Sequence, residues 1–159
     1  MAAAATGDVG VVRRDPMAMK PFAGYNFGDY WQHWLSMADR VPGLPGIFHV
    51  NWFRRDAGGR FLWPGYGENL RVLAWIIDRC QGRAAAEDTA IGAVPRRDAL
   101  NLGGLGLSDA TVRELLSVDA TQWRSEADEI GRYLEGYGSH LPKGLHRELD
   151  GLRERLARA

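Results

Sequence analysis

The spacing of apolar positions changes period several times along this chain, and each change predicts an element. Phe27, Tyr30, Trp31, Trp34, Leu35 and Ala38 recur at intervals of three and four, the signature of a helix face. Asn26 stands where such a helix needs an N-cap, and Asp29 falls in its first turn. Val41-Pro42-Gly43-Leu44-Pro45-Gly46 ends it. From Ile47 the period drops to two. Ile47, His49 and Asn51 alternate with Phe48, Val50 and Trp52, which predicts a strand. Asp56-Ala57-Gly58-Gly59 is a turn, and Arg60-Phe61-Leu62-Trp63 returns as a second strand. Pro64-Gly65 closes this aromatic hairpin, and Gly67-Glu68-Asn69 opens a helix over 70–80. Leu70, Leu73, Ile76, Ile77 and Cys80 share its apolar face, with Gly82 just past its end. Residues 83–88 read as a polar linker and 89–94 as a short strand before Pro95. Three helical stretches follow. Ser108 caps 109–117, with Val112, Leu115 and Leu116 inward. Asp119 with Gln122 makes a capping-box pattern ahead of Trp123, Ala127, Ile130 and Leu134. Pro142 starts a last helix carrying the stripe Leu145, Leu149, Leu152 and Leu156. The expected fold class is mixed α/β, an aromatic β-hairpin followed by helices.

Length and charge narrow the picture. The chain has 159 residues, enough for one domain with a real core. Lys plus Arg is 20 and Asp plus Glu is 20, so the net charge is zero. That balance lacks the basic footprint of a nucleic-acid binder. No apolar run approaches the ~20 residues that span a bilayer, and no h-region follows Met1, so neither a membrane partner nor a secretory signal is expected. Cys80 is the single cysteine. It reads as a buried, inert thiol in a reducing, cytoplasmic setting. The small residues and glycines of 1–10 have little to bury and predict a mobile start.

Candidate chemistry concentrates in 47–69. Aromatic faces there suit a flat base, and the Asn69 amide both donates and accepts, as reading a base edge requires. Taken from the residues alone, a purely packed aromatic hairpin remains open, as does a module holding single-stranded nucleic acid with Arg54, Arg55 and Arg60. His33 reads as an interior or rim histidine, because no second ligand stands at metal spacing. Arg13 and Arg14 read as a solvated pair, and Phe22 as a core residue. Asn101-Leu102-Gly103-Gly104-Leu105-Gly106 is glycine-rich but lacks the GxxxxGK[ST] spacing of a phosphate loop.

Three long words go further: RRDPMAMKPFAGYNFGDYWQHWLSM, IFHVNWFRRDAGGRFLWPGYGENLRVLAWI and IGAVPRRDALNLGGLGL. The chain resembles the C-terminal portion of the GTP-dependent phosphoenolpyruvate carboxykinases from about residue 2 onward. The resemblance implies that 1–14 is the second half of a mobile active-site lid. It implies that 15–159 is the C-terminal part of the GTP-binding catalytic domain. Phe53, Phe61 and Tyr66 then hold guanine, with Gly67, Glu68 and Asn69 at its edge, and Phe22 lies against the substrate carboxylate. The family commonly has Phe where Tyr66 stands here. The implied parent is a cytoplasmic, monomeric lyase of gluconeogenesis. It turns oxaloacetate and GTP into phosphoenolpyruvate, GDP and CO2 with manganese or magnesium. The phosphate loop and the metal ligands of that reaction lie upstream of the matching segment, so no catalytic or metal-binding residue is expected here. The chain then reads as a fragment or a truncated gene model, inactive alone. The alternatives are a non-catalytic module binding nucleotides or single-stranded nucleic acid, and a gene remnant without function.

Overall fold

A computed structural model describes residues 14–159. The expected mobile start and, but for Arg14, the expected lid segment lie outside the described residues. Among the described residues, five α-helices and one two-stranded antiparallel sheet make the fold mixed α/β. It divides into two compact units, one holding the chain up to Leu44 with Thr121–Arg158, the other Pro45–Ala120.

The first unit is helical. Helix α1 (Phe27–Arg40) starts where Asn26 predicts, the Asn26 side chain accepting from the Gly28 amide at 2.8 Å. Phe27 is buried beneath Tyr30 and Trp31, its ring centroid 5.2 and 5.1 Å from theirs. A Cβ on Gly28 would stand 2.4 Å from the carbonyl oxygen of His140, so glycine alone permits this approach. His140 also meets Asp29 at 3.0 Å through Nδ1. Asn26→Ala therefore removes a cap at the helix that positions this unit. It should cost about 1 kcal/mol in urea unfolding while leaving the m-value unchanged.

The two remaining helices of this unit, here numbered α4 (Ala120–Glu135) and α5 (Lys143–Arg158), bury Ala127 and Leu134, and Leu149 and Leu156, the last fully. That is the leucine stripe expected from spacing. Arg14 is not solvated. It donates to Glu126 at 2.9 Å and to Glu129 at 2.7 Å, which corrects the sequence reading. Phe22 is no core residue either: it ends a 3-10 turn, Lys20–Phe22, and is exposed.

The second unit carries α2 (Asn69–Cys80), strands β1 (Ala86–Thr89) and β2 (Gly92–Pro95), and α3 (Asp109–Leu116). The sheet replaces the linker and single strand expected over 83–94. β1 and β2 pair in register from Ala86↔Pro95 to Thr89↔Gly92, and Gly92 takes φ +118°, a turn conformation open to glycine. Ser108 caps α3 as expected, accepting from the Thr111 amide at 3.1 Å.

Helix α2 forms where its spacing predicts, but Cys80 is not buried. Its buried residue is Trp75, whose indole donates to the Ala85 carbonyl at 3.2 Å and whose ring meets Phe48. Of the apolar face read from spacing, Leu70, Leu73 and Ile77 are exposed and Ile76 is half-buried, while Cys80, read as a buried thiol, is exposed. Periodicity identifies an apolar face but does not say that the chain itself supplies a cover for it.

Candidate functional site: an aromatic ledge beside the start of α2

The stretch 47–69 turns back on itself at a tight reversal. Gly59 donates to the Asp56 carbonyl at 2.9 Å, and Gly59 takes φ +80°. The Asp56 amide donates to the Arg60 carbonyl, and the Leu62 amide to that of Arg54, both at 2.9 Å. The hairpin is thus present, but one antiparallel bridge, Arg55↔Phe61, closes it in place of two strands. Residues 47–51 form no strand. Asn51 instead accepts from the Phe53 amide at 2.9 Å, a local turn that competes with pairing. The Asp56 carboxylate accepts the Arg60 amide at 2.9 Å and the Arg60 Nε at 3.0 Å. The first of these bonds holds its pKa below the usual aspartate value.

Burial then sorts the side chains. Leu62 and Trp63 go inward, Trp63 lying 6.3 Å from Trp52 between ring centroids. Phe53 and Phe61 stay outward, 73% and 52% exposed. Their centroids are 6.1 Å apart and their planes meet at 61°. Two rings that sandwich a flat ligand must stand parallel, so this pair offers one face and one edge. The Arg55 guanidinium lies 4.1 Å from the Phe61 centroid and donates to the Gly59 carbonyl at 2.9 Å. It covers one side of that ring and leaves a cation beside the ledge. Arg54 is committed elsewhere. It donates to the carbonyls of Leu115 and Ser117 at 3.2 and 2.9 Å and to the Ser117 hydroxyl at 2.8 Å, pinning the ledge to the end of α3.

After Pro64, Gly65 takes φ +132° and sends the chain into a 3-10 turn, Tyr66–Glu68, which runs straight into α2. Tyr66 is 91% exposed and among the described residues makes no ring contact. Nothing stands within 4 Å of where a Gly67 Cβ would be. Glu68 pairs with Arg71 at 2.6 Å, and Arg71 also donates to the Asn101 carbonyl at 2.8 Å. Asn69 opens α2, and its Oδ1 accepts from the Trp63 indole at 2.9 Å.

Phe53 and Phe61 are therefore brought together as a pair. Tyr66, Gly67, Glu68 and Asn69 form one continuous turn into the helix. Phe22 belongs to the other unit. Trp63 was not singled out from sequence as a site residue, and Arg54 was named there only as a cation for nucleic acid. Neither role shows in a periodicity, because the Trp63–Asn69 bond crosses the Pro64-Gly65 break and the Arg54 partners lie some sixty residues away. Among the described residues no group of three or more His, Cys, Asp or Glu is placed to hold a metal ion. The described residues thus offer no donor set that fits a manganese site. No helix among the described residues is long and apolar enough to cross a membrane.

The geometry defines a mixed α/β chain whose exposed aromatic pair is fixed near a helix start. Residues 1–155 match the family described as "Phosphoenolpyruvate carboxykinase C-terminal P-loop domain". The chain belongs to that family. It is 51% identical over 156 residues to the phosphoenolpyruvate carboxykinase [GTP] of Renibacterium salmoninarum, covering 97% of this chain and 26% of the relative. It is 49% identical over 157 residues to the protein of the same name from Anaeromyxobacter dehalogenans strain 2CP-1, and 52% identical over 160 residues to that of Neocallimastix frontalis. Both cover 99% of this chain and 26% of the relative. The chain thus spans about a quarter of the length of these relatives.

Proposed function

We propose that this chain supplies the guanine-binding part of a GTP-dependent phosphoenolpyruvate carboxykinase. In that role Phe53 and Phe61 hold the base by face and edge. Tyr66 offers a third ring from the adjoining turn, and its hydroxyl remains in water. Gly67 leaves open space, Glu68 braces the turn through Arg71, and Asn69 addresses the base edge. Residues 1–14 belong to the lid in this reading, and Phe22 addresses the substrate. The parent reaction converts oxaloacetate and GTP to phosphoenolpyruvate, GDP and CO2 with manganese or magnesium. Its phosphate and metal chemistry comes from the part of the relatives that this chain does not span. The chain alone is then a binding element without turnover.

The observation that carries this reading is the exposure of the Phe53–Phe61 pair. Rings that serve only packing are covered, and these two are more than half open. The nucleic-acid alternative loses ground for a specific reason. Arg54 is held by the end of α3, Arg60 by Asp56, and Arg55 by the Phe61 face and the Gly59 carbonyl. These are the three cations it would need for phosphates.

Titration calorimetry of the chain with GDP and ADP tests the reading. GDP should bind more tightly, and Asn69→Ala should narrow the gap between the two. If Asn69→Ala weakens both equally, Asn69 does not address the base edge. If neither nucleotide binds, the ledge is not a base site.

A further inference from the structure

Asparagine is by itself an ambiguous reader. Its amide has a donor end and an acceptor end, and a half-turn about the last torsion exchanges them at little steric cost. In the free state such an amide suits adenine well, accepting from N6 and donating to N7. A guanine-selective site built on Asn69 therefore needs something that forbids the half-turn.

We infer that Trp63 is that device: a positioning residue that makes Asn69 a one-sided reader, selecting a 6-oxopurine over a 6-aminopurine. This rests on the guanine-site reading above. The Trp63 indole can only donate, and Trp63 is buried. Its Nε1 donates to Asn69 Oδ1 at 2.9 Å. Turning the amide over would set the Asn69 Nδ2 donors against the indole N–H and leave a buried donor unpaired, which is costly. Oδ1 is therefore committed to Trp63, and Nδ2 faces the other way. Among the described residues, the Asn69 Nδ2 has no protein acceptor, so both its N–H groups are unspent. The guanine edge offers them two acceptors, O6 and N7. The adenine edge keeps the N7 acceptor but puts the N6 amino group where guanine has O6, so one of the two meets donor against donor. Trp63 acts through Asn69 and need not touch the base.

The chain is titrated with GDP and with ADP, unmodified and as Trp63→Phe, which keeps a ring in the core and removes only the N–H. In the variant the amide is free to turn. ADP should bind more tightly while GDP changes by less than about threefold. The GDP:ADP affinity ratio should fall roughly tenfold or more, the scale of one unpaired buried donor. A merely structural role would weaken both nucleotides and keep the ratio, and that result overturns the inference. A second measurement needs neither nucleotide nor a core variant. In the unmodified chain the Trp63 indole N–H should exchange slowly with solvent, and Asn69→Ala should speed it markedly. Fast exchange in the unmodified chain, or no change in Asn69→Ala, overturns the inference even where GDP preference stands. An unmodified chain that binds GDP and ADP equally defeats the guanine-site reading itself, and this inference with it.

Discussion

Phe53→Ala weakens GDP and ADP alike, by about 1–3 kcal/mol, which is up to a hundredfold in Kd or slightly more. Guanine and adenine present similar faces to a ring, so stacking cannot choose between them. Phe53 is 73% exposed, so truncating it opens no core cavity and should leave unfolding nearly unchanged. The effect therefore falls on binding. Phe61→Ala differs in one respect. It also takes away the ring under the Arg55 guanidinium and releases that cation to solvent. Calorimetry of both variants with both nucleotides, beside urea melts, separates these contributions. A Phe53→Ala chain with unchanged affinity would remove the ring from the base site.

The second large effect is on association. Leu70, Leu73 and Ile77 follow one another at helical spacing on α2, and all are exposed, as is Ile47. Gly46, next to Ile47, approaches Cys80 at the far end of the helix, where a Cβ on it would stand 3.7 Å from the Cys80 Sγ. The apolar row thus continues from α2 onto the 46–48 segment. A contiguous exposed apolar surface marks a face that is covered by another surface. The relatives supply a candidate cover. This chain matches 26% of their length, so about three quarters of such a polypeptide lies outside the match. Expressed alone, the chain should hide the row by self-association, seen as concentration-dependent sedimentation. Leu73→Lys with Ile77→Lys should shift it toward the monomer without loss of helical signal, since neither side chain is buried. A sharp monomeric boundary at all concentrations for the unmodified chain would show that the row needs no cover.

Much of the local structure was legible in the sequence. Asn26 and Ser108 announced the starts of α1 and α3, because an unpaired helix N-terminus needs a short polar acceptor and few residues supply one. Leu149 and Leu156 announced the buried side of α5, because a helix projects every third or fourth residue onto one line. The turn at 56–59 followed from its glycines, one of which takes the positive φ that the reversal requires. Phe53, Phe61 and Asn69 were named from the wording of one stretch, and they stand on a common unit.

What the sequence left undecided was whatever depends on a partner distant in the chain. Alternation from Ile47 to Trp52 describes a strand, yet a strand exists only where a second one pairs with it. Here Asn51 bonds locally and pairing shrinks to Arg55↔Phe61. Residues 86–95, read as the end of a polar linker and one short strand, form a two-stranded sheet because each half finds the other across a two-residue turn. The apolar row of α2 was legible as a face, but not what covers it. Apolarity sets a preference for burial, and tertiary structure supplies or withholds the cover. Arg14 was read as solvated because Glu126 and Glu129 lie more than a hundred residues away. The Trp63–Asn69 bond shows the same limit at the site. Sequence names an amide that can face a base either way round. The fold brings a buried indole against one end of it, and that contact decides which end is left to read.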